Sequence, residues 1–312
     1  MKERRATTGW LEELEALKRK NLYREIFSLD TPNDRSIEIN GTPYLNFSSN
    51  NYLGLANNIR VRQAAHRAIE KWGTGSGASR LISGNLKIHE DLEKNMAAFK
   101  GEEKALIFSS GYLANLGAIT AVVGQGDLVI VDRLNHASLI DAARLSRAKL
   151  WVYPHRDISA LKKLLNRAKA FRRRLVVTDA YFSMDGTIAP LDELVSLCKK
   201  TNTLLMADEA HSVGVYGKNG GGLTEKFGVT GKVDIVMGTL SKALGSVGGY
   251  IAGSKILVDY LINQAREFIY TTGPAPAASA AASAALAEIK KRKSLRENLL
   301  RGHTTVSQFC AP

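Results

Sequence analysis

The chain has 312 residues, 45% hydrophobic and 23% charged, which is long enough for one large globular domain or for a large and a small one. No apolar run reaches the length of a membrane span, and the first twenty residues lack the apolar segment of a secretion signal, so we expect a cytoplasmic protein with no membrane partner. Lys and Arg outnumber Asp and Glu 43 to 30, but apart from one run at residues 172–174 the excess is scattered and no nucleic-acid motif accompanies it, which favours an anionic cosubstrate over nucleic acid.

The first part of the chain predicts a helical arm and then a hairpin. Leucines at positions 11, 14 and 17 alternate with charged residues, which predicts an amphipathic helix over residues 10–27. The pair Asn40-Gly41 predicts a tight turn between two short strands, at residues 36–39 and 44–47.

The segment GTGSGASRLISG, residues 73–84, is too rich in glycine for a helix. It is either a flexible linker or a loop that brings its backbone close to a ligand. We favour the ligand loop, because predicted helices flank the segment closely on both sides.

Short apolar runs and amphipathic stretches alternate from residue 88 onward. Predicted strands are at residues 105–108, 128–131, 150–153, 175–178, 204–207 and 235–237. Two predicted helices begin at residues 88 and 111, and three more are predicted at residues 137–145, 158–170 and 191–201. This alternation predicts an α/β fold, with a mostly parallel sheet between helices and a ligand at the carboxyl ends of its strands.

Polar side chains follow four of these strands and should meet at one edge of the sheet. They are His136, Ser183, Asp208, His211 and Lys242. Each alone has an ordinary structural explanation, such as a satisfied core histidine or a helix-capping aspartate. Their joint placement favours a functional site.

Lys242 lies in the segment GTLSKALG, directly after the strand at residues 235–237. The hydroxyl groups of Thr239 and Ser241 beside it suit a phosphate better than a core, which favours a Schiff-base lysine for an aldehyde cofactor that carries a phosphate. A solvated lysine in a surface loop is the alternative. The turn SSG before the helix at Gly111 and Tyr112 is typical of an anion site built from backbone amides.

The segment DEAH, residues 208–211, has two other interpretations. It holds Asp, Glu and His close together, but it lacks the spacing and the further ligands of a zinc site. It is also similar to a helicase motif, but no GxxxxGK[ST] phosphate loop precedes it. We therefore favour neither.

Taken in order, the segments NNYLGL, GTGSGASR, SSGYLAN, LNHAS, FSMDGTIAPL, DEAH and GTLSKALG resemble the α-oxoamine synthase family of pyridoxal-phosphate enzymes. The resemblance extends from about residue 45 to residue 273. It implies the aspartate aminotransferase type of fold, fold type I. It also implies three parts: an arm and hairpin at residues 1–45, a large cofactor-binding domain at residues 46–275, and the beginning of a small domain at residues 276–312.

The resemblance assigns roles to the residues at the sheet edge. Lys242 would hold pyridoxal 5'-phosphate covalently and act as the base once freed, and Asp208 would pair with the pyridine nitrogen. His136 would stack on the ring, while His211 and Ser183 would reach the phenolic oxygen. The phosphate would lie against the amides of Gly111 and Tyr112 and the hydroxyls of Thr239 and Ser241.

The resemblance also implies a homodimer with shared active sites. Thr271 and Thr272 would reach the cofactor of the second subunit. Arg24 matches the family's N-terminal substrate arginine and would grip an acyl carboxylate.

Within the family, the segments FSMDGTIAPLDEL and LYR are most like members that condense L-alanine with pimeloyl-CoA in biotin biosynthesis, with release of CoA and carbon dioxide. The alternatives are 2-amino-3-ketobutyrate CoA ligase, serine palmitoyltransferase and 5-aminolevulinate synthase. A catalytically silent dimer partner is a further alternative, although such partners tend to lose the Schiff-base lysine, which is present here as Lys242.

The C-terminal part departs from the family pattern. We expect one helix over residues 275–300, after which the chain lacks most of the small domain that supplies an arginine for the amino acid's carboxylate. The expectation from this departure is an intact cofactor site with impaired substrate binding.

Overall fold

A computed structural model describes residues 7–310 and divides the chain into two compact units, Met1–Phe47 and Ser48–Pro312. The first unit contains helix α1 (Thr8–Arg19) and strands β1 (Ser36–Ile39) and β2 (Thr42–Leu45). Asn40 and Gly41 have φ angles of 50° and 73°, as a two-residue turn of type I′ requires. The turn pairs the two strands in antiparallel register, and the predicted hairpin is confirmed.

The predicted helix over residues 10–27 is too long. Helix α1 ends at Arg19, because Asn21 takes a left-handed conformation with φ of 54°. The amide of Leu22 then donates to the carbonyl of Leu17, which closes the last turn. The leucine spacing continues past this asparagine, so periodicity alone missed the end of the helix.

The helices of the second unit are α2 (Ile59–Trp72), α3 (Lys87–Lys100), α4 (Gly111–Val122), α5 (Ala137–Leu145), α6 (Ile158–Arg167), α7 (Leu191–Lys200), α8 (Leu223–Lys226), α9 (Lys255–Gln264), α10 (Arg266–Ile269), α11 (Pro276–Lys291) and α12 (Ser294–Cys310). Its strands are β3 (Lys104–Phe108), β4 (Leu128–Asp132), β5 (Lys149–Tyr153), β6 (Arg174–Asp179), β7 (Tyr181–Phe182), β8 (Thr187–Ile188), β9 (Leu204–Asp208), β10 (Ile235–Thr239) and β11 (Gly249–Gly253). None of the described helices is both long and apolar enough to cross a membrane.

Seven of these strands form one sheet in the order β3-β11-β10-β9-β6-β4-β5. Neighbours from β10 to β5 pair in parallel, while β11 pairs antiparallel with both β10 and β3. Successive residues of each strand point to opposite faces, so that Val236 and Met237 belong to separate hydrophobic clusters. This confirms the predicted mostly parallel sheet between helices.

Strand β11 was not predicted: its sequence GYIAG contains two glycines and follows a glycine-rich stretch. Gly249 begins this strand where it passes helix α4. A Cβ atom there would lie 2.6 Å from the Cα of Gly111. The glycine therefore allows the close approach of the strand to the helix.

The single helix predicted over residues 275–300 is wrong. Helix α11 ends at Lys291, where Arg292 leaves helical geometry with φ of −118° and ψ of 78°, and α12 begins at Ser294. Helix α11 packs on α2 and α3, and Arg60 of α2 pairs with Glu288 at 2.7 Å. A separate small domain from residue 276 stays a prediction.

The arginines at residues 172–174 have structural partners. Arg172 makes a two-pronged contact with the buried carboxylate of Asp127, at 2.9 Å for each bond. The guanidinium groups of Arg173 and Arg174 donate to backbone carbonyls at or after the C-terminal ends of α4 and α7. Cations at these positions stabilise the partial negative charge of a helix end.

The loop at residues 73–84 is fastened at several points. The hydroxyl of Ser76 donates to the carbonyl of Pro274 at 2.6 Å, and that of Ser79 donates to the carbonyl of Ile269 at 2.7 Å. Arg80 is nearly buried and forms an ion pair with Glu93. A flexible linker would not have such contacts, whereas a role in ligand binding stays a prediction.

A fully buried ion pair joins Lys100, the last residue of α3, to Glu209, which directly follows β9. The same carboxylate accepts the backbone amide of Thr224 at 2.7 Å, and the lysine also donates to the carbonyl of Gly221. Both side chains have no exposed surface, so neither charge has water as an alternative partner.

We predict that Lys100→Met lowers the free energy of unfolding by about 3–5 kcal/mol, because it leaves the charge of Glu209 buried without a cation. Urea unfolding of the cofactor-free protein measures the change. Lys94→Met, at an exposed position of the same helix, is the control and should stay within about 0.5 kcal/mol of the parent. Equal stability of the two variants would contradict the prediction.

Candidate active site

The register of the parallel strands brings two carboxylates side by side. Asp179 ends β6 and Asp208 ends β9, and the two residues are direct neighbours in the pairing of these strands. On its other side, Asp208 pairs with Met237 of β10. Because parallel neighbours end at the same edge, the segments that follow them enclose one cavity.

This cavity has a volume of about 240 Å³. Its lining side chains come from the ends of β6, β9 and β10 and from the beginnings of α4 and α5. They are Gly111, Tyr112, Asn115, His136, Ser138, Asp179, Asp208, Ala210, His211, Met237, Thr239, Ser241 and Lys242. The sequence placed most of these residues at the sheet edge, and the structure brings them together.

Lys242 lies in the turn after β10, which is closed by a hydrogen bond from the amide of Leu240 to the carbonyl of Gly248. Its Nζ atom is 2.6 Å from Nε2 of His211. Burial lowers the pKa of the Lys242 ammonium, although the carboxylates of Asp208 and Asp179 act against this shift. A lowered pKa increases the fraction of neutral amine, the form that attacks carbonyl carbon.

His211 connects this amine to a tyrosine. Its Nδ1 atom is 2.7 Å from the hydroxyl of Tyr52, which donates in turn to Oδ1 of Asn50 at 2.9 Å. Burial and the positive charge of Lys242 lower the pKa of His211 to about 4, so the ring is neutral at pH 7. With its hydrogen on Nδ1, the ring donates to Tyr52 and accepts from Lys242 at Nε2.

Asp208 is 4% exposed, and both of its oxygens accept hydrogen bonds. Oδ1 accepts the backbone amide of Ala210 and Oδ2 accepts the side-chain amide of Asn115, each at 2.8 Å. Asp179 accepts the backbone amide of His136 at 2.8 Å. Burial and the neighbouring carboxylate of Asp208 raise the pKa of Asp179.

The other end of the cavity is the N-terminus of α4. Ser110 caps the helix by accepting the amide of Leu113 at 3.1 Å, and the first amides, those of Gly111 and Tyr112, have no acceptor within the helix. Thr239 packs against Gly111. A Cβ atom added to Gly111 would lie 3.4 Å from the hydroxyl oxygen of Thr239. Amides and hydroxyls at a helix N-terminus form a site for an anion.

Three residues of the second unit that were predicted for the site do not line the cavity. Ser183 is exposed in the turn between β7 and β8 and does not line the cavity. Thr271 and Thr272 lie between α10 and α11 and line a separate small pocket with Arg80. Arg24 belongs to the first unit. Their functional roles stay predictions.

Sequence reasoning missed Asn115, Ser138, Asp179 and Tyr52. A signal existed for Asn115, which lies one helical turn after Gly111 and is a polar residue inside a mostly apolar helix, GYLANLGAITAV. A buried polar residue in such a helix indicates a specific partner. Tyr52 lies in the segment NNYLGL, but its contact with His211 joins positions 159 residues apart, which spacing cannot predict.

The two rival interpretations of the segment DEAH gain no support. Glu209 pairs with Lys100 away from the cavity, so only Asp208, Ala210 and His211 of this segment line it. Among residues 7–310, no group of three His, Cys, Asp or Glu side chains is placed to hold a metal ion.

The chain matches the family model of aminotransferase class I and II over residues 42–311, and it belongs to this family. It is 52% identical over 290 residues to the 8-amino-7-oxononanoate synthase of Citrifermentans bemidjiense, which covers 92% of this chain and 74% of the relative. It is 49% identical over 272 residues to the enzyme of that name from Treponema denticola, and this match covers 87% of this chain and 69% of the relative.

Among solved structures, a serine palmitoyltransferase with pyridoxal phosphate superposes with a TM-score of 0.89 at 31% identity, covering 95% of this chain and 75% of that one. The predicted fold of the aspartate aminotransferase type is thereby confirmed, as is the resemblance to the α-oxoamine synthases.

The residues of the cavity fit pyridoxal 5'-phosphate. A primary amine, Lys242, and a buried anion, Asp208, face the same space, as an aldehyde and a pyridine nitrogen on one ring require. Gly111 keeps the space beside Thr239 open, since a Cβ atom there would lie 3.1 Å from the Met237 methyl group. The free amides of the helix match a phosphate.

We predict that His211 titrates near pH 4 in the cofactor-free protein. Its folded pKa lies below the ordinary value of 6.5, so the unfolded chain binds more protons between these values and stability falls as the pH is lowered from about 6.5 to 4. NMR titration of the ring carbons, assigned with His211→Gln, measures the pKa. Titration at 6.5 or above would contradict the proposed burial and contact with Lys242.

Proposed function

We propose that the chain catalyses the pyridoxal-phosphate-dependent condensation of L-alanine with pimeloyl-CoA, which gives 8-amino-7-oxononanoate, CoA and carbon dioxide. One observation carries the proposal: the Lys242 amine and the Asp208 carboxylate face one cavity with a helix N-terminus at its side. Relatives that are 46–52% identical bear the name of this activity. The formal net charge of +13 suits a CoA substrate with several phosphates.

When bound, pyridoxal phosphate supplies an aldehyde that condenses with amines and a ring that accepts the electron pair left by a broken C–H bond. Asp208 would pair with the ring nitrogen and keep that nitrogen protonated. Lys242 would hold the cofactor between turnovers and, once freed, would remove the α-proton of alanine.

His211 and Tyr52 control the position of this base. The Nε2 atom of His211 accepts a hydrogen bond from the Lys242 amine at 2.6 Å. The hydroxyl of Tyr52 accepts the hydrogen on Nδ1 and so fixes the tautomer. Because the pKa of His211 is lowered to about 4, the ring stays neutral and does not repel the lysine at neutral pH. The freed amine is therefore directed back into the cavity.

The remaining contacts orient the substrates. The amides of Gly111 and Tyr112 and the hydroxyls of Thr239 and Ser241 would bind the phosphate, and His136 would cover one face of the ring. A new C–C bond would then form between the α-carbon and the acyl carbonyl carbon, and the thioester C–S bond would break with release of CoA. Carbon dioxide would leave from the alanine carboxylate, and the α-carbon would take up a proton in its place.

We further propose a homodimer in which Thr271 and Thr272 reach the cofactor of the second subunit. Both lie in a short segment held by Ser76, Ser79 and the backbone of Ala78, so this segment has a fixed position for such a contact. Ser183 is proposed to contact the phenolic oxygen and Arg24 the acyl carboxylate.

A condensation of L-serine with palmitoyl-CoA is a second candidate, because the superposed serine palmitoyltransferase covers 95% of this chain. We predict release of CoA with L-alanine and pimeloyl-CoA that is at least tenfold faster than with L-serine and palmitoyl-CoA. A thiol-reactive dye measures the release. The reverse preference would favour the second candidate.

We predict that borohydride reduction of the protein loaded with pyridoxal phosphate places the label on Lys242. Lys242→Ala should abolish this label and lower turnover by about 10²–10⁴-fold, because the base is lost. Peptide mapping by mass spectrometry locates the label, and Lys199→Ala on the exposed side of α7 is the control. A label on another lysine would overturn the proposed function.

A further inference from the structure

The side chains of Asp208 and His136 are joined through two buried polar residues. Nδ2 of Asn115 lies 2.8 Å from Oδ2 of Asp208 and 2.9 Å from the hydroxyl oxygen of Ser138. The hydroxyl of Ser138 lies 2.7 Å from Nδ1 of His136. Asn115 and Ser138 are each 1% exposed, so water does not compete for these bonds.

The hydrogen positions in this chain follow from its chemistry. The amide nitrogen of Asn115 has two hydrogens and donates one to Asp208 and one to Ser138. The hydroxyl of Ser138 accepts from Asn115 and has one hydrogen of its own, which it can donate to Nδ1 of His136. The backbone amide of Ser138 also donates to Nδ1 of His136, at 3.2 Å. Nδ1 accepts in both bonds, so the ring hydrogen lies on Nε2.

The carbonyl oxygen of Asn115 supports this assignment. It is buried and has no hydrogen-bond partner among the described residues. An unsatisfied buried acceptor costs stability. The two hydrogen bonds that Nδ2 donates in this orientation oppose that cost. In the flipped orientation the carbonyl oxygen would face the carboxylate of Asp208 at 2.8 Å, and two acceptors would repel each other.

We propose that Asn115 and Ser138 are positioning residues that fix the carboxylate of Asp208 and the Nε2–H tautomer of His136 together. The inference rests on the proposed function, in which Asp208 meets the edge of the cofactor ring and His136 covers its face. One short chain of hydrogen bonds then orients both contacts. Loss of either link should disturb the cofactor site without removing a group that touches the reacting atoms.

The test uses the cofactor-free protein labelled with ¹⁵N-histidine. In the parent at pH 7.5, we expect the Nδ1 signal of His136 in the unprotonated range and the Nε2 signal in the protonated range. Ser138→Ala should move both signals toward a mixture of tautomers, because it removes the 2.7 Å hydroxyl contact and leaves Nδ1 only the longer bond from the backbone amide, at 3.2 Å. Ser138→Thr keeps the hydroxyl and should restore the parent signals.

The second measurement is the dissociation constant of pyridoxal phosphate, from quenching of intrinsic fluorescence. Asn115→Leu preserves approximate volume and should weaken binding by about tenfold to a hundredfold, because Asp208 loses a charge-assisted hydrogen bond. The control is Thr120→Ala on the same helix, where the hydroxyl donates only to the carbonyl of Leu116 and lies away from the cavity.

Parent-like histidine signals in Ser138→Ala, together with less than a twofold change in the dissociation constant for Asn115→Leu, would overturn the inference. Both readouts are independent of L-alanine and pimeloyl-CoA. Failure of the proposed reaction is therefore distinguishable from failure of the positioning role.

Discussion

The cost of burying the carboxylate of Asp208 determines how the site is built. A carboxylate that is 4% exposed is stable only where donors and a cation surround it. One donor is the amide of Ala210 in the loop after β9, and the second is the side chain of Asn115 in α4. Lys242, in the loop after β10, lines the same cavity, and its charge interacts electrostatically with that of Asp208. Three elements distant in sequence thus have to converge on one anion.

The order of the strands makes this convergence possible. Because β11 lies between β10 and β3, helix α4 begins next to the end of β10, where Thr239 lies. The close passage of Gly249 past Gly111 depends on the absence of a side chain at Gly249. The cavity consequently has a site for an anion at the helix N-terminus and a carboxylate, Asp208, that can pair with a cation. Together they match the phosphate and the protonated ring nitrogen of one phosphorylated heterocycle.

Much of this architecture followed from local signals in the sequence. The predicted helix at residues 137–145 agrees with α5 at both ends, and the buried strands were found because continuous apolar runs bounded by turn residues are typical of parallel sheets. The polar residues at the strand ends, Asp208 and Lys242 among them, were found because parallel strands deliver their ends to the same edge.

The remainder depended on contacts between distant residues. Strand β11 has glycines that reflect the approach of α4, and the loss of side chains hides its apolar pattern. The end of α1 depends on the left-handed conformation of Asn21, which a leucine repeat does not report. Tyr52, Ser138 and Asn115 act through hydrogen bonds across the fold, and such pairs are not encoded in spacing along the chain.

The central claim is that a single ring touches both Lys242 and Asp208. A crystal structure of the protein soaked with pyridoxal phosphate tests it most directly. The account predicts electron density continuous with the Lys242 side chain, with the ring nitrogen within hydrogen-bonding distance of Asp208 and the phosphate at the N-terminus of α4. A cofactor bound with its ring nitrogen away from Asp208, or no density at Lys242 at a saturating concentration, would contradict it.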